Sequence, residues 1–178
     1  MKSMSTHQPS QTQAYLKSAI VIAIYIVLTL MVAPFAFGPI QFRISEILNY
    51  LGLYNRRYIY AVTLAVFISN FYQYGPVDMV VGSLTTLFSM WVGIWLGDRI
   101  VKARKGQSTW LSDDLLRHLV LALAFALCIF PIAMMLVAVG AEAIFLPAYI
   151  SLAISELIVM LIGIPIMMTL RKRVDFTR

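Results

Sequence analysis

The chain has 178 residues, of which 61% are hydrophobic and 12% are charged, and its mean hydropathy is +0.84. This composition excludes a soluble globular domain and predicts a polytopic membrane protein. The net charge of +6 comes from basic residues scattered between apolar segments, so no continuous basic face is available to bind nucleic acid.

The first 13 residues are polar and precede a long apolar run, residues 14–37. The length of that run predicts a membrane span after a cytoplasmic tail and argues against a cleaved signal peptide. Pro34 lies near its far end, where a kink costs little. The next apolar stretch, residues 44–54, would cover only about 16 Å as a helix, which is too short to cross the membrane core. It predicts a short or steeply tilted helix.

Residues 58–72 predict a third helix, short and rich in aromatic side chains. Residues 77–100 predict a fourth, with many small and hydroxylated side chains that allow close packing in lipid, so we expect it to be central in the bundle. It contains a GxxxG pattern at Gly93 and Gly97, which fits packing inside the bundle or contact with another protein.

Residues 111–139 predict a fifth helix, which begins with an acidic turn suited to the helix dipole and contains Pro131, where we expect a kink. Residues 146–170 predict the sixth helix. The single cysteine, Cys128, lies inside an apolar run and therefore predicts a buried hydrophobic side chain rather than a disulfide or redox site.

Basic residues predict the orientation, because loops rich in Lys and Arg stay in the cytoplasm. With the N-terminus inside, all of the 14 Lys and Arg residues except Arg43 fall on the inner side. The pattern predicts an all-α fold with six transmembrane helices in one bundle and both termini in the cytoplasm. The membrane domain would cover residues 14–174, between polar tails at 1–13 and 175–178.

Two ionisable residues, Arg43 and Glu46, lie between long apolar runs. A charged side chain is costly near hydrocarbon, so its presence there indicates a specific role. They are three residues apart, so their side chains share one helical face and can pair. Asp78, about thirty residues later, has no basic neighbour in sequence. Two interpretations fit the pair: the polar floor of a binding site, or an interfacial ion pair that caps a short helix.

The predicted topology places Arg43, Glu46, Asp78 and Glu142 toward the outer face, and Glu156 would reach the same space if it faces the bundle. We therefore expect a polar site that opens outward. The candidate substrate-binding residues are Arg43, Glu46, Asn70, Tyr74, Asp78, Tyr149 and Glu156.

The sequence holds no HExxH, GxSxG or Walker A motif and no paired histidines. It therefore predicts neither an enzyme nor a metal site or cofactor, and any ATP hydrolysis would fall to partner proteins. It also lacks the inverted repeat with two broken helices that is typical of small secondary transporters. These observations favour a membrane-embedded binding protein, with a small membrane scaffold or assembly protein as the alternative.

The segments FRISEIL, beginning at Phe42, and GPVDMVVGSLTTL, beginning at Gly75, resemble the paired signatures of the QueT family. That family belongs to the S components, the substrate-binding subunits of energy-coupling-factor (ECF) vitamin transporters. The resemblance covers most of the membrane portion of the chain. It implies a six-helix protein embedded in the lipid bilayer. This protein would capture a small-molecule vitamin or related micronutrient from outside the cell.

The resemblance further implies a complex with the transmembrane coupling subunit EcfT and two cytoplasmic ATPases. S components dock through an AxxxA pattern on their first helix, and Ala19 and Ala23 match it. The same pattern also arises from ordinary packing of apolar helices, so packing remains the alternative for these two alanines.

The resemblance allows two kinds of ligand. A queuosine precursor of 7-deazaguanine type presents adjacent N–H donors, which a carboxylate such as Glu46 or Asp78 accepts, and a flat ring that stacks on Tyr or Trp. Cobalamin is far larger and would need a wide outer cavity with aromatic and amide lining. The sequence leaves both ligands open.

Overall fold

The computed structural model describes residues 11–36, 41–104 and 111–177, and within these ranges all regular secondary structure is helical. The α-helices are α1 Gln11–Met31, α2 Ala33–Ala36, α3 Leu51–Tyr54, α4 Arg57–Tyr74, α5 Pro76–Ala103, α6 Asp113–Cys128, α7 Phe130–Ala138 and α8 Phe145–Arg171. A 3₁₀ helix, Ile44–Tyr50, runs directly into α3.

Each of the six predicted helices corresponds to one helical segment of the chain. Three of these segments contain a local change: α1 gives way to α2, the 3₁₀ helix to α3, and α6 to α7. The first segment is already helical at Gln11, the first described residue, and so includes residues before the predicted start at residue 14. The end predicted for it falls at residue 37, which lies outside the described residues.

The break between α6 and α7 lies next to a proline. Ile129 separates the two helices, and Pro131 occupies the first turn of α7, where its missing N–H has no helical partner to lose. The helix is therefore interrupted beside Pro131, where the sequence predicts a kink. At the start of α6, the hydroxyl of Ser112 accepts a hydrogen bond from the backbone N–H of Leu115 at 3.2 Å, so this helix carries a side-chain N-cap.

The helices pack as a closed ring of neighbours. α1 packs against α4, α4 against α5, α5 against α6, and α6 against α8. The 3₁₀ helix closes the ring because it packs against both α8 and α1, and α7 fills in between α5 and α8. The short second segment therefore lies between the first and last long helices, and its polar residues face the inside of the bundle.

The small residues of α5 serve contacts inside this ring. A Cβ at Gly93 would lie only 2.6 Å from Cδ1 of Leu121 and 3.0 Å from Cβ of Ala124, both on α6. Gly97 faces Arg117, which is also on α6. Of the two interpretations of the GxxxG pattern, packing within the bundle is therefore the one the fold supports.

Four helical stretches in the described part of the chain are long and apolar enough to cross a membrane. They are Gln11–Met31, Pro76–Ala103, Asp113–Ala138 and Phe145–Arg171. α4 has 18 residues, or about 27 Å of helix, but is not among these four stretches. The predicted all-α membrane protein is therefore confirmed, whereas the count of six membrane spans stays a prediction.

One end of the bundle gathers charged and aromatic contacts between helix termini. Arg171 at the end of α8 binds Asp114 at the start of α6, with Nη1 and Oδ1 2.6 Å apart. Nε2 of His118 lies 2.9 Å from Oη of Tyr54, and Phe176 stacks on Tyr54 with ring centroids 6.0 Å apart. We call this end, marked by Asp114, His118 and Arg171, the basic end.

Candidate ligand-binding site

The buried cation of the site is Arg43, which precedes the 3₁₀ helix at the end of the bundle opposite the basic end. Its side chain is only 6% exposed. Nη1 donates to Oδ1 of Asn70 at 3.1 Å, Nε donates to the carbonyl of Ala36 at 3.3 Å, and Nη2 donates to the side-chain oxygens of Gln41 and Gln73. These acceptors come from separate segments and fix the guanidinium in one place.

Asn70 connects Arg43 to a buried carboxylate. Its Nδ2 donates to Oδ1 of Asp78 at 3.1 Å and to the carbonyl of the same residue at 3.2 Å. Asp78 lies in the first turn of α5, where a carboxylate suits the helix dipole, and is 1% exposed. α4 and α5 meet at Gly75, whose φ of +66° favours glycine. Arg43, Asn70 and Asp78 therefore form one hydrogen-bonded chain.

Glu46 lies within the same site but has different partners. Oη of Tyr25 donates to its Oε1 at 2.8 Å, and Nδ2 of Asn49 donates to its Oε2 at 2.5 Å. Asn49 follows Glu46 by three residues, which is one turn of a 3₁₀ helix, so the two side chains lie one above the other. These contacts stand in place of the direct pairing expected between Glu46 and Arg43.

A small internal cavity of about 20 Å³ lies among these groups, which is room for about one water molecule. Its walls are formed by Arg43, Glu46, Gly82, Thr85, Thr86, Ser89, Phe125, Ile129, Ile132 and Glu156. Glu156 of α8 is 6% exposed, and its Oε1 has no hydrogen-bond partner among the described residues. Among the described residues the site is therefore narrow, buried and polar on one side, and one carboxyl oxygen of its wall, Oε1 of Glu156, has no donor.

The two predicted aromatic site residues lie beside the cavity rather than in its wall. They pack against an apolar cluster formed by Ile129, Ile132, Ala133, Met135, Leu136 and Leu152. Tyr74 ends α4, and Tyr149 on α8 donates its hydroxyl to the carbonyl of Leu127 at 3.2 Å. Glu142 lies in the turn after α7, outside the set of lining residues. The structure thus brings Arg43, Glu46 and Glu156 together at the cavity and Asn70 and Asp78 directly behind it.

Sequence reasoning missed several residues of this site. Tyr25 and Thr29 lie one turn apart on the buried face of α1, and Thr29 Oγ1 is 2.7 Å from Ser45 Oγ. Polar residues four apart in an apolar helix are a signal for an inward-facing position, so these two could have been found. Gln41 and Gln73 carry no such signal, because only the folded chain brings them to Arg43.

The wall contributed by α5 was interpreted from sequence as a packing surface. Gly82, Thr85, Thr86 and Ser89 do pack closely, but they also line the cavity. The hydroxyl of Thr85 donates to the carbonyl of Val81 at 2.7 Å, a bond within the helix that satisfies the group without a partner from another helix. The result is a wall of small side chains opposite the acids.

The alanines predicted to dock lie on the outside of the bundle. Ala19 and Ala23 are both exposed, whereas the buried face of α1 carries Val21, Tyr25 and Thr29. Their small side chains leave the backbone of α1 accessible to another helix.

The described residues contain no cluster of His, Cys, Asp and Glu that could hold a metal ion. The site instead combines a fixed guanidinium with buried carboxyl and amide groups, which suits recognition of a polar small molecule. An all-helical membrane bundle that encloses such a site has the architecture of a membrane transport protein.

Comparison with known proteins agrees with this class. A model of the QueT transporter family matches residues 15–172, and the chain belongs to that family. It is 39% identical over 171 residues to the queuosine precursor transporter QueT of Lactococcus lactis subsp. cremoris (strain MG1363), covering 95% of this chain and 98% of that protein. No solved structure matches the chain. The protein is thus a multi-pass bacterial membrane protein of a transporter family.

Proposed function

We propose that this protein is the substrate-binding S component of an ECF-type importer and that it captures a queuosine precursor of 7-deazaguanine type from outside the cell. The observation that carries the proposal is the buried site of Arg43, Glu46 and Glu156 in a member of the QueT transporter family. The similar protein from Lactococcus lactis is a queuosine precursor transporter, and this supplies the ligand class.

The dimensions of the site favour the smaller of the two ligands allowed by the sequence. The cavity holds about 20 Å³ and its walls are side chains from closely packed helices. A flat bicyclic base needs far less added room between these walls than cobalamin does, and close packing of the helices opposes a large opening. The ring donors of a deazaguanine also match the carboxyl groups of the site.

The proposed topology is six membrane-crossing segments with both termini in the cytoplasm. The basic end carries Arg171 and Arg117 and is assigned to the inside by the positive-inside rule. Arg43 and Asp78 then lie toward the outside. The ligand would reach them from the outer face.

The proposed partners are the transmembrane coupling subunit EcfT and two cytoplasmic ATPases. The exposed Ala19 and Ala23 on α1 are the proposed docking surface, because small side chains let a partner helix approach closely. ATP hydrolysis by the partners would drive release of the ligand inside, since this chain carries no nucleotide-binding motif.

Uptake by cells tests the proposal directly. Cells that lack their own precursor transporter would receive this chain with its coupling subunit and ATPases, and labelled 7-deazaguanine precursor and labelled cobalamin would be offered separately. We expect uptake of the deazaguanine only, and only with all subunits present. Uptake of cobalamin alone would contradict the ligand assignment, and uptake of neither would favour a scaffold or assembly role.

A further inference from the structure

Three buried carboxyl groups lie in or behind the cavity, and they differ in how far the protein satisfies them. Glu46 accepts one hydrogen bond on each oxygen, from Tyr25 and from Asn49. Asp78 accepts from Asn70 through one oxygen and leaves Oδ2 without a partner. Oε1 of Glu156 is fully buried and has no hydrogen-bond partner among the described residues.

Position separates the two acids that have an oxygen to spare. Glu156 lines the cavity, whereas Asp78 does not and instead lies behind Gly82, next to Asn70. Glu156 belongs to α8, which packs against both the 3₁₀ helix and α6. The carboxyl group of Glu156 is therefore held between two walls of the site. A buried polar group without a partner destabilises a protein, so its retention calls for an explanation.

The edge of a guanine-type base offers what Glu156 lacks. N1–H and the 2-amino group are adjacent donors that point in the same direction, and a carboxylate can accept both through its two oxygens. Arg43 lies in the same cavity and keeps a positive charge near the carboxylate. Glu46 and Asp78 already have protein donors, which suits a role in positioning Tyr25, Asn49 and Asn70.

Building on the proposed function, we propose that Glu156 is the residue that recognises the base, accepting N1–H and the 2-amino group of a 7-deazaguanine. Glu46 and Asp78 are positioning residues that hold the polar walls in place. Selectivity for a 2-amino base over its analogue without that group then depends on Glu156.

Paired probes and variants test this assignment in the purified full chain. Titration calorimetry would compare 7-deazaguanine with 7-deazahypoxanthine, which keeps N1–H but lacks the 2-amino group. For the wild type, we expect the missing amino group to weaken binding about ten- to a hundredfold, the range for a hydrogen bond to a charged acceptor. In Glu156→Gln, whose amide offers a single oxygen and an opposing N–H, we expect 7-deazaguanine to bind more weakly and the ratio between probes to fall below about threefold.

Matched variants separate recognition of the base from general damage to the site. Glu46→Gln and Ser89→Ala alter other walls of the same cavity, and we expect them to keep the wild-type ratio between the probes even where both affinities fall. Glu156→Asp shortens the side chain by one methylene and so withdraws the carboxylate from the cavity. It replaces Glu156→Gln as the test variant if Glu156→Gln does not fold. We expect it to lower the affinity for 7-deazaguanine and to reduce the ratio.

The outcomes distinguish this assignment from the proposed function. If the wild type binds 7-deazaguanine and Glu156→Gln keeps the wild-type ratio, the assignment is overturned and the proposed function stands. If the ratio collapses in Glu46→Gln instead, recognition belongs to Glu46. If the wild type binds neither probe, the proposed function fails and the assignment fails with it.

Discussion

The side-chain amide of Asn70, near the end of α4, donates to Oδ1 of Asp78, in the first turn of α5, at 3.1 Å. This contact passes beside Gly82, one turn further along α5. A Cβ at position 82 would collide with Nδ2 of Asn70, so the contact is possible only because that position has no side chain. Arg43 depends on the same amide, since it donates to the oxygen of Asn70.

Gly82→Ala should therefore displace Asn70 and break its links to both Arg43 and Asp78. We expect ligand affinity to fall at least about tenfold and stability to fall by about 1 to 3 kcal/mol, from overpacking and lost buried hydrogen bonds. Titration calorimetry and thermal melting in detergent measure the two effects. Gly97→Ala is the control, because a Cβ there meets Arg117 at an ordinary 3.5 Å and should be tolerated.

Tyr25→Phe should weaken the site from the side of α1. It removes the hydroxyl that donates to Oε1 of Glu46 and leaves that buried oxygen without a donor, at a cost of about 1 to 3 kcal/mol. We expect a lower melting temperature together with weaker ligand binding. Tyr15→Phe removes a hydroxyl from a tyrosine that is 73% exposed and should change neither property. Equal behaviour of the two variants would show that the Tyr25 contact contributes nothing.

Much of the architecture could be predicted from sequence because apolar run length and proline position are local signals. All six helical segments and the break at Pro131 follow from them. Glu46, Asp78 and Glu156 are candidate site residues in the sequence because they lie in or between apolar runs, and all three are buried. Placing a carboxyl group in lipid costs free energy, and this cost indicates a specific role for each of these acids.

The partners of those acids could not be predicted in the same way. Tyr25 reaches Glu46 from 21 residues away, and Arg43 reaches Gln73 from 30 residues away. Such contacts depend on the order of helices around the ring, which run length does not determine. The direct pairing of Arg43 with Glu46 was inferred from spacing in a regular helix, but Arg43 precedes the 3₁₀ helix in an extended conformation and points its guanidinium to α4.

Bulky residues at the exposed alanines of α1 should separate docking from ligand binding. We expect Ala19→Trp and Ala23→Trp to abolish transport by the assembled complex while the isolated protein binds ligand normally, because both positions face away from the cavity. Uptake assays and calorimetry on the same variants give the two readouts. Leu84→Trp, an equally bulky change at an exposed position of α5, is the control and should transport normally. Normal transport by the alanine variants would restrict these residues to packing.

The orientation of the bundle can be tested with single cysteines in a Cys128→Ser background. Ala143, in the exposed turn before α8, should react as cysteine with an impermeant thiol reagent applied to intact cells. Lys102, at the basic end of α5, should react only after the membrane is opened. Labelling of position 102 from outside would exclude the proposed orientation.

Filling the cavity should remove ligand binding without removing the fold. Ile132 of α7 lines the cavity opposite the polar wall, and Trp at this position would occupy the space that a base must enter. Overpacking of this kind costs about 1 to 3 kcal/mol of stability, whereas affinity for 7-deazaguanine should fall by more than about tenfold. Met134→Trp, on the same helix but 58% exposed, is the matched control and should bind as the wild type does. Calorimetry with melting curves on both variants distinguishes loss of the site from loss of the fold. If Ile132→Trp folds and binds normally, the ligand lies elsewhere in the bundle, and the carboxyl groups around this cavity have a structural role.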